Sequence, residues 1–367
     1  MKSCLALLVI LAACGDNLAH TTDASPGLDA TVPTDTIPAV SHAVAVAGDF
    51  TAPPGVISSL DLSTLAMHAN VAAGLVTDDP LIHKIDSYLY IINRDSNNVT
   101  VVNAATFALV TQIGTGASSN PQDVAVVGQK VYVPSLGTAG VVVGHLDSTA
   151  TSTIDLNAAT GETDGKPNCE AAFAVGTDVY VACGILDNTD LNLPAKTNGV
   201  LVVIDSTTDT VRTHITMPVK NPEGFFRKHG SDLVIATYDA ANGCTIKITP
   251  GTTPTATCLV MNSELGGTAN SIDIAGDKLW FAYSSADFSH SWARSYDLTT
   301  SMFADNLTPD AQSIHDVAAC PDGKIAVTEG AFGDAGGIRI YNSGAEVTTG
   351  AIAIGIAPVY SNGLVCY

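Results

Sequence analysis

Carboxylate and imidazole side chains recur roughly every 40 to 55 residues along this chain, each near the predicted start of a buried strand. They are His83, Asp123, Glu170, Glu223, Asp273, His315 and Asp316. If such side chains converge, acids raise one another's pKa or recruit a cation such as Ca²⁺, and the two imidazoles would also suit a transition metal. The five carboxylates are therefore candidate ligands of Ca²⁺ or another divalent metal. No GxSxG, HExxH, CxxCH or phosphate-loop motif occurs, so no catalytic residue or organic cofactor is indicated.

A further residue with predicted chemistry is Cys14. Lys2 and the apolar stretch 5–13 have the form of an export signal that is too short to span a bilayer. The sequence Leu11-Ala12-Ala13-Cys14 resembles a bacterial lipobox, which implies a signal peptide of residues 1–13 and a lipidated Cys14. The alternative is an ordinary secretory signal with a chance cysteine. Because Gly15 rather than Asp follows the cysteine, resemblance to enterobacterial sorting favours the outer membrane, with the protein facing the periplasm or the cell surface.

Six cysteines remain in the exported domain, and an even number in an oxidising compartment indicates three disulfides. Cys169 and Cys183 lie symmetrically about Gly176, and Cys244 and Cys258 about Gly251, as directly opposed residues of two hairpins would. By elimination Cys320 pairs with Cys366. The alternative, a metal or redox thiol site, is disfavoured because no CxxC spacing occurs.

Short β-branched strands separated by Gly, Asn, Asp, Ser and Thr must position these residues. Residues 120–156 contain four of them, which is one blade of a propeller. Similar units open near Pro80, Pro121, Asn168, Asn221, Asn270 and Ser313, whereas residues 42–74 supply only three strands. The last residues, APVYSNGLVCY, supply one strand more. The sequence therefore predicts an all-β, seven-bladed β-propeller over residues 42–367, with the C-terminal strand completing blade 1; eight blades is the alternative.

Two of these strands carry a resemblance to a known family. Tyr90-Ile91-Ile92-Asn93 followed by Asn98-Val99-Thr100-Val101-Val102-Asn103 resembles the YVTN β-propeller repeat, and Val131-Tyr132-Val133-Pro134 and Val179-Tyr180-Val181-Ala182 occupy the same place in later blades. The resemblance implies the fold. It implies function only weakly, because the family is functionally mixed.

In a propeller the seven residues named first would meet at one mouth of the central channel, together with the long loops 184–199 and 285–292. Propeller lactonases and streptogramin lyases, which this mouth resembles, hold a divalent metal that polarises a carbonyl or ester. The structural alternative is that each acid accepts hydrogen bonds from inter-blade backbone or water. Phe225-Phe226 stands at strand spacing and is predicted to lie in the inter-blade core.

The net charge of the chain limits the kinds of partner that it can bind. The chain has 15 Lys and Arg against 36 Asp and Glu, a net charge of −21, which excludes a nucleic-acid-binding surface. Residues 14–41, rich in Asp, Thr, Pro and Ala, are predicted to be a disordered tether. We therefore expect a lipid-anchored, non-catalytic scaffold that binds an envelope protein or small-molecule ligand through its loop-rich face. The alternative is a metal-dependent enzyme similar to the lactonases and lyases.

Overall fold

The computed structural model describes residues 41–49, 54–239, 242–310, 313–331 and 336–367. The predicted signal peptide, Cys14 and nearly all of the predicted tether lie outside these ranges. Strands dominate the described residues, and the two helices among them, α1 (Asn157–Thr160) and α2 (Asn262–Leu265), are one turn long. No helix among the described residues is long and apolar enough to span a membrane.

Seven antiparallel sheets form the blades of a β-propeller, which confirms the predicted fold class and blade number. Blade 1 begins with β1 (His42–Ala47), β2 (Val56–Asp61) and β3 (Met67–His68). Blade 2 contains β4 (Pro80–Ile85), β5 (Tyr88–Asn93), β6 (Asn98–Asn103) and β7 (Leu109–Gly114). Blade 3 contains β8 (Ala125–Val127), β9 (Lys130–Pro134), β10 (Gly140–His145) and β11 (Ser152–Asp155).

The later blades repeat the plan with longer inner strands. Blade 4 contains β12 (Cys169–Val175), β13 (Asp178–Cys183), β14 (Val200–Asp205) and β15 (Thr210–Thr216). Blade 5 contains β16 (Pro222–His229), β17 (Asp232–Thr237), β18 (Cys244–Thr249) and β19 (Thr255–Met261). Blade 6 contains β20 (Thr268–Ala275), β21 (Lys278–Ser284), β22 (Ser291–Asp297) and β23 (Met302–Phe303). Blade 7 contains β24 (Ile314–Ala319), β25 (Ile325–Glu329), β26 (Gly337–Asn342), β27 (Ala345–Glu346) and β28 (Ile352–Ala353).

The C-terminal strand β29 (Leu364–Cys366) completes blade 1 as its innermost strand, as the sequence predicts. Residues 364–366 pair antiparallel with residues 43–45 of β1. Beyond this ladder, the His42 amide donates to the Tyr367 carbonyl at 2.7 Å, and the Tyr367 amide donates to the His42 carbonyl at 3.0 Å. The ring is thereby closed with no unpaired inner edge, which an open array of blades would expose.

The apolar core is divided among the blade junctions. Seven clusters of buried side chains are found among the described residues, one at each junction between adjacent blades. Central strands are therefore buried on both faces, and sequences such as VLVVID in β14 are continuously apolar. The outer strand β15 alternates exposed and half-buried residues because only one of its faces is covered. One cluster, between blades 2 and 3, includes Phe225 of blade 5.

All three predicted disulfides are present: Cys169–Cys183, Cys244–Cys258 and Cys320–Cys366. The first pair is directly opposed across β12 and β13, as predicted. The prediction of direct opposition is wrong for the second pair, because a bulge in the β18–β19 hairpin places Cys244 opposite Met261. The third bridge joins the end of the inner strand of blade 7 to β29, and so it links the two blades between which the ring closes.

Candidate functional site

Three of the five predicted metal ligands join neighbouring blades. In Asp123, Asp273 and Asp316, one carboxylate oxygen accepts the amide of the following residue at 2.7–2.9 Å. The other oxygen accepts an amide from the inner strand of the next blade, which is Ala172 for Asp123 at 2.9 Å, Ala319 for Asp273 at 2.8 Å and Leu364 for Asp316 at 2.8 Å. These carboxylates take the structural role that the sequence left as the alternative, and we name them the inter-blade aspartates.

A stacked aromatic pair spans the channel. The imidazole of His83 in blade 2 lies against the ring of Phe225 in blade 5, with centroids 4.6 Å apart and planes at 9°. Blades 2 and 5 are three positions apart in a ring of seven, so this contact crosses the central axis. His83 Nδ1 lies 2.7 Å from the carboxylate of Asp123, which fixes the ring. Phe225 and Phe226 both lie in the inter-blade core, as predicted, but Phe226 packs between blades 4 and 5 whereas Phe225 reaches the cluster between blades 2 and 3.

A wide irregularity in β16 explains how Phe225 reaches the axis. Glu223 pairs with Ala236 and Arg227 with Val234, so the three residues 224–226 oppose the single Ile235. Gly224 has a φ of 82°, in the region that favours glycine. The extra residues turn the Phe225 side chain out of the blade and into the channel, where it is only 2% exposed.

Bulges also direct side chains inward at the starts of the other late inner strands. In β12, β20 and β24 the pairing register shifts by one residue, which leaves Glu170, Asn270 and His315 without a ladder partner. A bulged residue escapes the two-residue alternation of a strand and can be aimed independently. Asn270 and His315 line the channel end where the inner strands begin, together with Glu223, and Glu170 lies close enough to Glu223 to interact with it electrostatically.

This end of the channel is a chamber of about 630 Å³, which we call the mouth chamber. Its walls come from blades 2, 5, 6 and 7 and from the loop before β29, and they include Arg94, Glu223, Tyr238, Asn270, His315 and Tyr360. His83 of the stacked pair lines a smaller cavity of about 220 Å³, together with Arg227, Asp273 and Cys366. Neither ring of the pair lines the mouth chamber.

Two carboxyls dominate the electrostatics of the mouth chamber. Burial raises the pKa of Glu170 well above its usual range, and the adjacent Glu223 raises it further. Burial also raises the pKa of Glu223 to about 7, and Arg94 opposes both shifts. Neighbouring buried acids of this kind titrate as a pair, so they retain a proton near neutral pH. Arg94 is itself ion-paired with Asp79, and its guanidinium carbon lies 5.8 Å from the centre of the Tyr360 ring.

His315 and Asn270 add polar groups with defined orientations. His315 Nε2 lies 2.7 Å from the carbonyl oxygen of Gly330. Since a carbonyl only accepts, Nε2 carries the proton, and Nδ1 of the neutral ring is an acceptor. Burial lowers the pKa of His315, which favours this neutral form. The Asn270 amide donates to the Ser284 hydroxyl at 2.8 Å.

The five predicted ligands do not form one metal site. Glu223 lines the mouth chamber with Glu170 beside it, whereas Asp273 borders the smaller cavity and forms an ion pair with Arg227 at 3.0 Å. Across the described part of the chain, no group of three or more His, Cys, Asp and Glu side chains is arranged to hold a metal ion. The expected ring of seven converging acids and imidazoles is therefore divided between inter-blade bonds and the mouth chamber.

Sequence reasoning missed several residues that line the mouth chamber. Arg94 directly follows β5 and Tyr238 directly follows β17, which are the second strands of their blades. Second strands run antiparallel to inner strands, so they end at the face where the inner strands begin. A systematic examination of residues after the second strands would have found both, whereas Tyr360 lies in a loop without a repeat equivalent.

No family model and no curated protein matches the chain. The YVTN resemblance therefore stays a prediction. Among solved structures, apo AztD from Citrobacter koseri is similar with a TM-score of 0.55 and 12% identity, covering 89% of this chain and 98% of that one. Dihydro-heme d1 dehydrogenase NirN in complex with DHE is similar with a TM-score of 0.51 and 16% identity, covering 84% and 72%. At these identities the likeness shows a shared propeller fold.

Proposed function

We propose that this protein is a non-catalytic binding scaffold of the bacterial envelope that holds a small ligand in the mouth chamber. The observation that carries the proposal is the mouth chamber itself, which brings Glu223, Asn270 and His315 together with the stacked aromatic rings of Tyr238 and Phe288. Concave sites of about 300–1,000 Å³ that combine apolar walls with a few convergent polar groups are the usual form of small-molecule sites. At about 630 Å³, the mouth chamber has that size, and Tyr238, Phe288, Val359 and Tyr360 supply the apolar part of a lining that is mostly polar.

The chemistry of the lining supports binding. Donors and acceptors are held at fixed positions by bulges and by hydrogen bonds such as His315 to Gly330, so they are preorganised for a ligand. The alternative of a metal-dependent lactonase or lyase has less support. Three of its five proposed ligands accept backbone amides, so they would have to give up bonds between blades to coordinate a metal.

The proposed cellular location rests on the sequence near Cys14. A diacylated or triacylated cysteine buries many methylene groups, each stabilising membrane association by about 0.8 kcal/mol, so the anchor would hold firmly. The three disulfides of the folded domain suit an oxidising compartment outside the cytoplasm. We place the protein on the outer membrane, facing the periplasm or the cell surface, with an envelope protein as the alternative partner.

Ligand binding can be tested by thermal unfolding of the detergent-solubilised, mature protein with separate panels of amines, amino acids, sugars, carboxylates, Ca²⁺ and Zn²⁺. A ligand at one hundred times its Kd stabilises the folded state by about 2.7 kcal/mol. The Ser361→Trp variant fills the mouth chamber, and Ser148→Trp, on an exposed turn of blade 3, is the matched control. We expect one class to raise the Tm of wild type and control but not of Ser361→Trp. No stabilising class, or equal stabilisation of all three proteins, would contradict the proposal.

Anchoring can be tested separately by metabolic labelling with palmitate and membrane fractionation. We expect Cys14→Ala to lose the label and the membrane association, whereas Cys4→Ala, within the predicted signal peptide, should keep both. Persistent labelling of Cys14→Ala would show that the lipobox prediction is wrong without bearing on the mouth chamber.

A further inference from the structure

We infer that the mouth chamber selects a small organic cation, an ammonium group held by Glu223, with Glu170 beside it, against an aromatic wall. This inference deepens the proposed function and rests on it. It names the ligand class that the side chains of the chamber recognise.

The first argument is that the carboxyl groups of this site lack a cationic partner. Glu170 is only 9% exposed, and neither it nor Glu223 has a hydrogen-bond partner among the described residues. Buried polar groups are nearly always paired, and a buried carboxylate without a partner is costly. The nearby cation Arg94 is already engaged by Asp79. When ionised, these three carboxylates carry three negative charges against the single positive charge of Arg94, so the site lacks cationic charge.

The second argument is the aromatic wall. Tyr238 of blade 5 and Phe288 of blade 6 stack with ring centroids 5.9 Å apart, and they remain 46% and 54% exposed where they border the mouth chamber. Tyr360 lies on the same chamber. Ammonium groups are recognised by exposed aromatic ring faces that lie close to unpaired carboxyls. The ring faces attract the cation, and the carboxylates neutralise its charge.

The third argument separates an organic cation from a bare metal ion. The volume of about 630 Å³ is many times the ~30 Å³ share of one water molecule, so a metal ion alone would leave it largely filled by water. Two carboxylates without a third protein ligand among the described His, Cys, Asp and Glu also make a poor metal site. A molecule of several carbon atoms uses both the charge and the aromatic surface.

The shared proton of the two carboxyls provides an independent readout. An ammonium ion beside them favours their ionised forms, so binding near pH 7 releases a proton to solvent. The other charged or titratable groups at this site are Arg94 with Asp79, His290, Asp310 and His315. His315 is held neutral by burial and Asp310 accepts a hydrogen bond from Trp292 at 2.6 Å, so the Glu170–Glu223 pair is the expected source of the proton.

The test is isothermal titration of the detergent-solubilised, mature protein with 1-aminobutane, 1,4-diaminobutane and tetramethylammonium. The comparison probes are the neutral 1-butanol, the anion butyrate, Ca²⁺ and Zn²⁺. Proton release is followed with an indicator dye in weakly buffered solution at pH 7. We expect saturable binding of at least one organic cation, release of up to one proton per site, and no saturable binding of 1-butanol or butyrate.

Isosteric variants assign the effect to the carboxyl pair. We expect Glu170→Gln and Glu223→Gln each to weaken cation binding at least tenfold and to reduce the proton release. The exposed Glu346→Gln, on the outer strand β27, is the control and should bind as wild type does. Circular dichroism melts of all variants establish that they are folded. If a Gln variant does not fold, Ser361→Trp serves as the second variant and should abolish cation binding.

The outcomes separate this inference from the proposed function. Binding of neutral or anionic compounds that Ser361→Trp abolishes, without binding of any cation, would overturn the inference and leave the binding scaffold standing. Saturable binding of Ca²⁺ or Zn²⁺ that depends on Glu170 and Glu223, with no organic cation bound, would overturn it in favour of a metal site. Failure of every probe, both here and in the ligand panels, would overturn both.

Discussion

Removing the disulfide that closes the ring should have a larger and different effect from removing a disulfide within a blade. In the double variant Cys320→Ser/Cys366→Ser the lost bridge encloses a sequence separation of 46, compared with 14 for Cys244–Cys258. Chain entropy in the unfolded state then gives about 4 kcal/mol for the closing bridge and about 3 kcal/mol for the other. The two expected losses of unfolding free energy are similar, so the variants are distinguished by the position of the lost bridge in the fold.

Location matters because β29 is only three residues long, with hydrogen bonds between His42 and Tyr367 flanking its ladder with β1. Three residue pairs join β29 to β1, and Asp316 accepts the amide of Leu364 from blade 7. Without the bridge, β29 can separate locally from both β1 and blade 7. This local opening requires less free energy than global unfolding. We therefore expect faster hydrogen exchange at residues 43–45 of β1 in the closing variant, in addition to a loss of about 4 kcal/mol in denaturant unfolding.

The matched control is Cys244→Ser/Cys258→Ser, which should lose about 3 kcal/mol and leave exchange in β1 unchanged. Hydrogen exchange by mass spectrometry, with peptides that cover β1 and β18, measures both effects. Equal protection of β1 in the two variants would refute the reasoning that the closing disulfide restrains β29.

Three further predictions concern the channel. Asp316→Asn keeps one acceptor oxygen but replaces the other with a donor that faces a backbone amide, so we expect a loss of about 1–3 kcal/mol in denaturant unfolding. An unchanged midpoint would argue against the inter-blade aspartates as structural bonds. Phe225→Ala should lose about 3–5 kcal/mol because it leaves a cavity at the axis, and the exchange of its stacking partner His83 should rise. Wild-type stability without any change at His83 would contradict the contact across the channel. The free energy of unfolding should fall as the pH rises from about 4.5 to about 7, because burial raises the pKa values of Glu170, Glu223 and Asp316 and the folded protein binds more protons than the unfolded chain in this window. Glu170→Gln/Glu223→Gln should reduce this slope in urea titrations at several pH values and leave the part due to Asp316, and an unaltered slope would contradict the contribution of the glutamate pair.

The fold was predictable because each strand is indicated by its own short stretch of sequence and the strands can then be counted into blades. Each run of β-branched residues predicts a strand, and the leftover strand at the C-terminus accounts for the missing strand of blade 1. The cysteine pairs followed from hairpin symmetry, and a bulge near Cys258 changed the geometry of one pair without changing the partners. Cys258 lies opposite Ile246, two residues from Cys244, and the bridge still forms because the Cα separation of 5.6 Å is within the range that a disulfide spans.

The roles of the acids could not be predicted in the same way, because side-chain direction depends on single-residue register. Asp123 and Glu170 both stand near the start of an inner strand. A bulge takes Glu170 out of the ladder and brings it beside Glu223, whereas Asp123 faces the next blade and accepts an amide. A one-residue shift reverses the face on which a strand residue lies, and bulges leave little trace in composition. The contact of Phe225 with His83 joins distant parts of the chain and has no periodic signal at all.

The pairing of β29 with β1 also determines how the domain is presented. The inner strand β29 starts near the mouth chamber, where Tyr360 and Ser361 lie, and ends at the opposite face. Since β1 is antiparallel to it, the domain starts at His42 on that same opposite face, beside Tyr367. The chamber opening therefore lies on the face away from both His42 and Tyr367, so a protein fused at either of these residues would leave the opening accessible.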